Sequence, residues 1–264
     1  MLIEKPGDSG IRQISNQFFP SPKSMRISGG MGQLVTGLSQ LLTPENIKYE
    51  HQVQAVSHTE GQGYTLDVIQ HRNQLSLESK NIIFALPHRL IANNIRFTPK
   101  LPKMALNALG NTPTWMAAHA KFFAIYEQPF WRKNGLSGYA SSQVGPLAEI
   151  HDASAENGHA ALFGFVGFDA KTRAKIGTTE LKSMAVEQLA RLFGSEAYNV
   201  TEVKLLDWSK ELYTAVEKDH TMPAHHPRYG LNASLEQLSD QGMYFAGTES
   251  SKDFGGFIEG ALEA

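Results

Sequence analysis

Cysteine does not occur in this chain of 264 residues. Its absence excludes disulfides, thiolate metal ligands and cysteine nucleophiles. An excess of either charge is also missing: 24 Lys and Arg stand against 26 Asp and Glu, a formal net charge of −2. That balance leaves no basic footprint for nucleic acid or an anionic membrane, and no run of like charges marks a tail. Long hydrophobic runs are lacking too. No stretch reaches the roughly 18 apolar residues a membrane helix needs, and Glu4, Lys5 and Asp8 interrupt the region after Met1, so the sequence predicts neither a span nor a secretory signal, and a cytoplasmic location. Internal repeats and low-complexity segments are absent. So is a GxGxxG turn directly after a strand: the nearest glycine cluster, Gly29-Gly30-Met31-Gly32, has a different spacing and no strand before it.

What is present suits a globular protein with a sizeable core, at 41% hydrophobic and 19% charged residues. Residues 1–25, with Gly7, Gly10, Pro20 and Pro22, read as an irregular lead-in. The glycine cluster then opens a helical pattern with Leu34, Leu38, Leu41 and Leu42 on one face, stopped by Pro44. Strands are predicted at residues 46–50, 53–57, 64–70 and 75–78, turning at Gly61-Gln62-Gly63 and His71-Arg72-Asn73. Asn81-Ile82-Ile83-Phe84-Ala85-Leu86-Pro87 is a continuous apolar strand, which expects cover on both faces and neighbours on both edges. Further strands are predicted over 117–125, 160–168 and 200–208. An amphipathic helix capped by Thr178 turns Leu181, Met184, Ala185, Leu189, Leu192 and Phe193 inward and ends at Gly194. His220, His225 and His226 fall in a proline-containing loop without a second ligand cluster, so they read as surface residues, and no metal site is predicted.

The last twenty-two residues carry the most chemistry. A short apolar strand, Met243-Tyr244-Phe245-Ala246, runs into Gly247-Thr248-Glu249, and Gly255-Gly256-Phe257 then opens a helix through Ile258, Gly260 and Ala261. Small residues let a backbone approach a ligand closely. This segment resembles the closing flavin-binding signature of the flavin-containing amine oxidase family. Three more segments match that family in order: Arg26-Ile27-Ser28-Gly29-Gly30-Met31, Phe84-Ala85-Leu86-Pro87 followed by residues 95–102, and Ala120-Lys121-Phe122-Phe123 followed by Pro129-Phe130-Trp131-Arg132. The matches span residues 26–264. Missing is the family's opening nucleotide-binding unit, so the chain is similar to a C-terminal portion.

The resemblance implies an α+β fold, an incomplete two-domain architecture holding part of the FAD-binding domain and part of a mixed-sheet substrate domain. Residues 26–110 and 236–264 then belong to the FAD-binding side, 111–235 to the substrate side, and 1–25 to the end of a substrate-domain segment. It implies non-covalent FAD, the chain having no cysteine for a thioether, and hydride transfer from the carbon beside an amine to flavin N5, with water hydrolysing the imine and oxygen as acceptor. Lys121 matches a lysine that orders a water near N5, and Phe257 an aromatic flanking the substrate face. Gly29, Gly30, Val53, Gly247, Thr248, Glu249, Gly256, Phe257 and Gly260 match cofactor contacts, that of Val53 through its backbone. Glu217 and Lys218 fall where some members carry a flavin-linking cysteine and the second cage aromatic. A lysine there would repel a cationic amine. Two alternatives follow: a desaturase, oxidase or isomerase of the same fold acting on a non-amine, and a non-catalytic fragment or subunit that self-associates or needs a separate nucleotide-binding chain. The expected ligand is a small-molecule amine, with no nucleic acid and no membrane partner.

Overall fold

The computed structural model describes residues 2–3, 27, 29–155 and 158–264. The expected lead-in therefore lies outside the described residues except for the two-residue strand β1 (Leu2–Ile3), as do Arg26 and Ser28 of the first glycine motif. Two hydrophobic cores organise the rest.

The first core lies under a six-stranded antiparallel sheet. Its strands are β1, β7 (Ala120–Tyr126), β8 (Ala140–Ser141), β9 (Leu147–Asp152), β10 (Ala160–Val166) and β11 (Glu202–Asp207), in the spatial order β1-β8-β9-β10-β7-β11. Side chains alternate across a strand, so β7 sends Ala120, Phe122, Ala124 and Tyr126 to one face and Lys121, Phe123 and Ile125 to the other. The first set is buried with Leu181, Ala185, Leu189 and Phe193 of helix α6 (Thr178–Phe193). Burying the larger of these, Phe122, Leu181, Leu189 and Phe193, contributes about 1.5–3 kcal/mol each, which fixes the register and leaves Lys121 on the open face. The Pro-Phe-Trp segment is a plug of this core: Trp131, in the short helix α4 (Phe130–Lys133), is fully buried and its Nε1–H donates to Asp152 Oδ2 at 2.8 Å.

The second core joins a four-stranded sheet to a two-stranded parallel one. The larger sheet runs β4 (Asn73–Ser79), β3 (Gly63–Gln70), β2 (His51–Thr59), β6 (Arg96–Thr98); the parallel pair is β5 (Ile82–Phe84) with β12 (Met243–Phe245). Ile82, Phe84, Met243 and Phe245 face inward, with Phe84 stacked on Phe245 at 5.5 Å, and pack with Ile91 of α2 (His88–Asn94), Leu109 of α3 (Lys103–Asn111) and Leu235 of α7 (Ala233–Glu236).

Several sequence expectations fail for local reasons. Residues 46–50 form no strand: Pro44–Asn46 is a 3₁₀ turn and Glu50 takes a left-handed φ of 60°. Thr178 is the first residue of α6, not its cap; Gly177 holds that place, at a φ of 85° that only glycine adopts cheaply. Helix α1 (Gly32–Gln40) forms, but it buries no residue, and Leu38, Leu41 and Leu42 are exposed. The cover that the apolar run at residues 81–87 demands is half present among the described residues, where β5 pairs with β12 and Ile83 stays 65% exposed, in keeping with the missing neighbours that a C-terminal portion implies.

Candidate active site

Parallel strands gather ligands at their carboxyl ends, where the connecting loops diverge. Here the chain leaving β5 runs through Pro87 into His88 at the start of α2, and the chain leaving β12 runs into Gly247 and Thr248. The two exits are tied together: the Ala246 amide donates to Phe84 O at 2.9 Å, and His88 Nε2 lies 3.2 Å from Ser250 Oγ. Burial lowers the His88 pKa to about 4, so this tie is made by a neutral imidazole at ordinary pH.

The turn after β12 is built by Thr248. Its hydroxyl accepts from the Gly256 amide at 2.9 Å and donates to Phe257 O at 2.6 Å. Gly260, in helix α8 (Ile258–Glu263), packs so tightly that a Cβ there would stand 2.2 Å from Phe254 O and 2.6 Å from Thr248 Oγ1. The side chain of Glu249 turns inward, 2% exposed; burial raises its pKa, and the Asp219 charge acts in the same direction. With the hydroxyl spent and the carboxylate buried, only the backbone of Thr248 and Glu249 is left to meet a ligand. Their side chains hold the shape of the turn.

From this turn a relay of rings runs to the open face of the six-stranded sheet. Phe257 lies parallel to His226, with centroids 5.5 Å apart and planes 8° apart. His226 meets Trp115 at 4.6 Å, Trp115 meets His119 at 6.1 Å, and His119 meets Phe165 edge-on at 6.3 Å. Phe165 faces Lys121 across the β10–β7 ladder, and the Lys121 Nζ lies 5.6 Å from its ring centroid and 5.9 Å from that of Phe163. These are cation–π distances. Phe163 continues the band to Phe123 at 5.1 Å. His119, two residues before Lys121, has its pKa lowered by burial and then by the charges of Arg173 and Lys121.

The family model for flavin containing amine oxidoreductases matches residues 11–264. The chain belongs to this family. It is 29% identical over 242 residues to amine oxidase [flavin-containing] B of Sus scrofa, an alignment covering 89% of this chain and 44% of that protein. It is 28% identical to the probable flavin-containing monoamine oxidase A of Dictyostelium discoideum, covering 90% of this chain and 51% of that one. In structure it is similar to putrescine oxidase bound to putrescine, with a TM-score of 0.69 at 22% identity, and to the cyclohexylamine oxidase of Brevibacterium oxydans IH-35A, with 0.67 at 24%; each alignment covers 89% of this chain and 50% of the other. At those identities the structures speak for the fold, a partial amine oxidase fold. The chain spans about half the length of the relatives it matches.

As a member of the flavin containing amine oxidoreductases, the chain can be asked whether its residues suit a flavin. They do: a glycine turn at the carboxyl ends of a parallel pair, with Gly256 at a φ of +85°, adjoins an exposed aromatic surface at Phe257. Gly30, at +83°, has no heavy atom of the described residues within 4 Å of where a Cβ would stand, leaving its backbone open to close approach. The sequence-predicted residues divide between two places. Gly247, Thr248, Glu249, Gly256, Phe257 and Gly260 form one turn, linked by the ring relay to Lys121. Gly29 and Gly30 form a separate turn, in which Gly30 N–H donates to Ile27 O and Gln33 N–H to Gly30 O. Val53 lies in β2 just before a bulge that shifts the register between Val53 and Ala55.

One reading from sequence needs correction. Lys218 does not stand opposite Phe257: its ammonium donates to Gly110 O at 2.9 Å and Asn111 Oδ1 at 2.7 Å, against the end of α3, where helix carbonyls favour a cation. His226 is exposed, as read from the sequence, but its ring lies parallel to Phe257 and tilted by 54° against Trp115, contacts the sequence did not announce. Trp115 and His119 were missed. For Trp115 nothing in the sequence gave notice; for His119 its place at i−2 from Lys121 on an alternating strand was the available signal.

Proposed function

We propose that this chain supplies the substrate-facing half of an FAD-dependent amine oxidase that oxidises a C–N bond with oxygen as acceptor. The observation that carries the reading is the ring relay from Phe257 to Phe165, which joins the glycine turn suited to a flavin with the half-buried Lys121. When bound, the flavin supplies hydride acceptance from the carbon beside the amine nitrogen. The chain's own groups do the rest. The Lys121 ammonium, held over two phenyl rings, orders a water or moves a proton; the exposed face of Phe257 guides the amine; and the backbone of residues 247–249 with Gly256 holds the cofactor. Gly29, Gly30 and Val53 serve its other end. Attachment is non-covalent, as no cysteine is present to form a thioether. The two cores support a flavin side built on residues 26–110 and 236–264 and a substrate side within 111–235, with Leu231 and Leu235 packing on the flavin-side core. A cytoplasmic location is proposed on composition alone, and cell fractionation tests it.

A nucleotide-binding half goes with this reading. Ile83 and Tyr244 leave the outer face of the parallel pair bare, at 65% and 43% exposure, and α1 buries nothing. Such apolar strand surface pairs or aggregates unless covered. The chain alone is expected to bind FAD weakly and to self-associate; a yellow monomeric preparation would overturn that. Joined to its nucleotide-binding half, it is expected to bind flavin and release peroxide with at least one member of an amine panel. Flavin retained without oxidation of any amine would favour a same-fold enzyme acting on a non-amine.

A further inference from the structure

We propose that the cleft between the C-terminal half of α3 and residues 228–232 is a separate binding site for an organic anion, a phosphate monoester on an apolar or ring-bearing body. It needs no flavin, since neither residues 247–249 nor residues 255–260 line it.

The cleft has a volume of about 730 Å³, the size of a small-molecule site and more than an inorganic ion fills. Tyr229 builds it. The Tyr229 hydroxyl donates to Pro113 O at 2.8 Å, which ties the two walls together. Its ring side is fixed from behind, because a Cβ at Gly255 would stand 2.4 Å from Tyr229 Cβ. Lys252 closes a third side: Gly230, at a φ of +128°, comes near enough that a Cβ there would stand 3.8 Å from Lys252 Cα.

The side chains of the lining are rich in donors. Arg228 and Lys252 are exposed, and neither has an ion-pair or hydrogen-bond partner among the described residues. Asn111 and Asn232 have their oxygen ends taken. Lys218 Nζ donates to Asn111 Oδ1 at 2.7 Å, and Ser234 N and Oγ donate to Asn232 Oδ1 at 3.0 and 2.8 Å, so each amide has its NH₂ left to give. Carbonyls at the end of α3 would repel an anion, but they are engaged: Ala108 O accepts from Thr112 N and Oγ1 at 3.1 and 2.9 Å, and Gly110 O from Lys218 at 2.9 Å. No carboxylate lines the cleft among the described residues. Of the acids in adjoining segments, Asp219 is paired with Arg89, Glu249 is buried, and Glu217, Glu236 and Asp253 are exposed to solvent, which screens them. Two unpaired cations match a dianion, and the planar fork of Arg228 suits the oxygens of a phosphate. Met104, Leu231 and the Tyr229 ring offer apolar surface to the body that carries it.

The test titrates the 264-residue chain by calorimetry with phenyl phosphate, benzoate, inorganic phosphate and benzyl alcohol. Phenyl phosphate is expected to bind about fivefold tighter than benzoate and about tenfold tighter than inorganic phosphate or benzyl alcohol. Inorganic phosphate as tight as phenyl phosphate would leave a charged patch, benzyl alcohol as tight an apolar hollow, and benzoate as tight a site without the preference for a dianion; each overturns the proposal. Arg228→Gln and Lys252→Gln are each expected to weaken phenyl phosphate about fivefold or more, and the double variant to lose it, with melting temperatures within about 2 °C of wild type. Asn107→Asp, which puts a carboxylate into the lining, is expected to weaken it about tenfold. Unchanged affinity in the double variant overturns the site. FAD titrated against the phenyl phosphate complex is expected to leave its Kd within about twofold; displacement would merge the cleft with the flavin site and overturn its separateness.

Discussion

Lys121 stands directly opposite Phe165 in the β7–β10 ladder, and its ammonium hovers 5.6 Å from the centre of that ring. The pairing places a cation on the open face of a sheet whose other face is a closed core. Replacing Lys121 by Met therefore removes a charge and no packing. The melting temperature of Lys121→Met is expected to stay within about 2 °C of wild type, while flavin reduction by an amine slows about 10²-fold or more, the range of a lost proton-handling group. Stopped-flow absorbance under anaerobic conditions reads the rate; an unchanged rate removes Lys121 from the chemistry.

Arg173 and Asp207 form a buried pair that locks α5 (Ala170–Ile176) to β11, with Nη2 to Oδ1 at 2.6 Å and Nε to Oδ2 at 2.9 Å. Burial pushes the Asp207 pKa up, but the bonds from Arg173 and Ser209 outweigh it and leave the carboxyl below its usual range. A depressed folded value means that the stability is present above the unfolded pKa of about 3.9 and is lost as pH falls through the lower, folded one. Asp207→Ala strands a buried guanidinium and is expected to cost about 3–5 kcal/mol in urea unfolding at pH 7. A loss under about 1 kcal/mol would show that the pair is not closed in solution.

Glu249 has the opposite sign. Its folded pKa is raised by burial, so ionisation favours the unfolded chain. Stability from this site is greatest below the unfolded value of about 4.3 and declines as pH rises from there through the raised folded value. Glu249→Gln removes that decline. The difference in melting temperature, variant minus wild type, is expected to become more positive between pH 4 and pH 7; a difference that is flat or falls across that window contradicts it.

At Gly260 the obstacle is steric. A methyl group 2.2 Å from Phe254 O forces the turn open, so Gly260→Ala is expected to cost about 1–3 kcal/mol. It should also weaken flavin retention, because the displaced atoms belong to the Thr248 clamp. At Gly30 there is room, and Gly30→Ala is expected to cost only about 1–2 kcal/mol from its left-handed backbone. Calorimetry and flavin content, measured together on both variants, check the contrast.

Much of the substrate-side sheet was legible because strict alternation in β7 and β10 leaves one arrangement of faces, and α6 announced itself by spacing. The second core was harder to read. The apolar run at residues 81–87 demands cover on both faces, but which partners supply it is set by tertiary packing, and among the described residues β12 is the strand that pairs with it. Leu34 and Leu38 of α1 have helical spacing, yet neither is buried by the described residues. In the candidate site the glycines stood out, while the jobs of Thr248 and Glu249 did not, since sequence cannot show whether a hydroxyl is already spent. The His226 stack was invisible because it arises in an aperiodic loop that only tertiary packing brings to Phe257.

The pairing of β5 with β12 joins Ile82 to Met243, strands roughly 160 residues apart, which at a synthesis rate of about 5–20 residues per second leaves the first waiting roughly 8–32 s for its mate on the ribosome. Throughout that interval Ile82 and Phe84 are sticky, unaccompanied chain. Production of this protein in cells should accordingly depend on nascent-chain chaperones and improve at lower growth temperature.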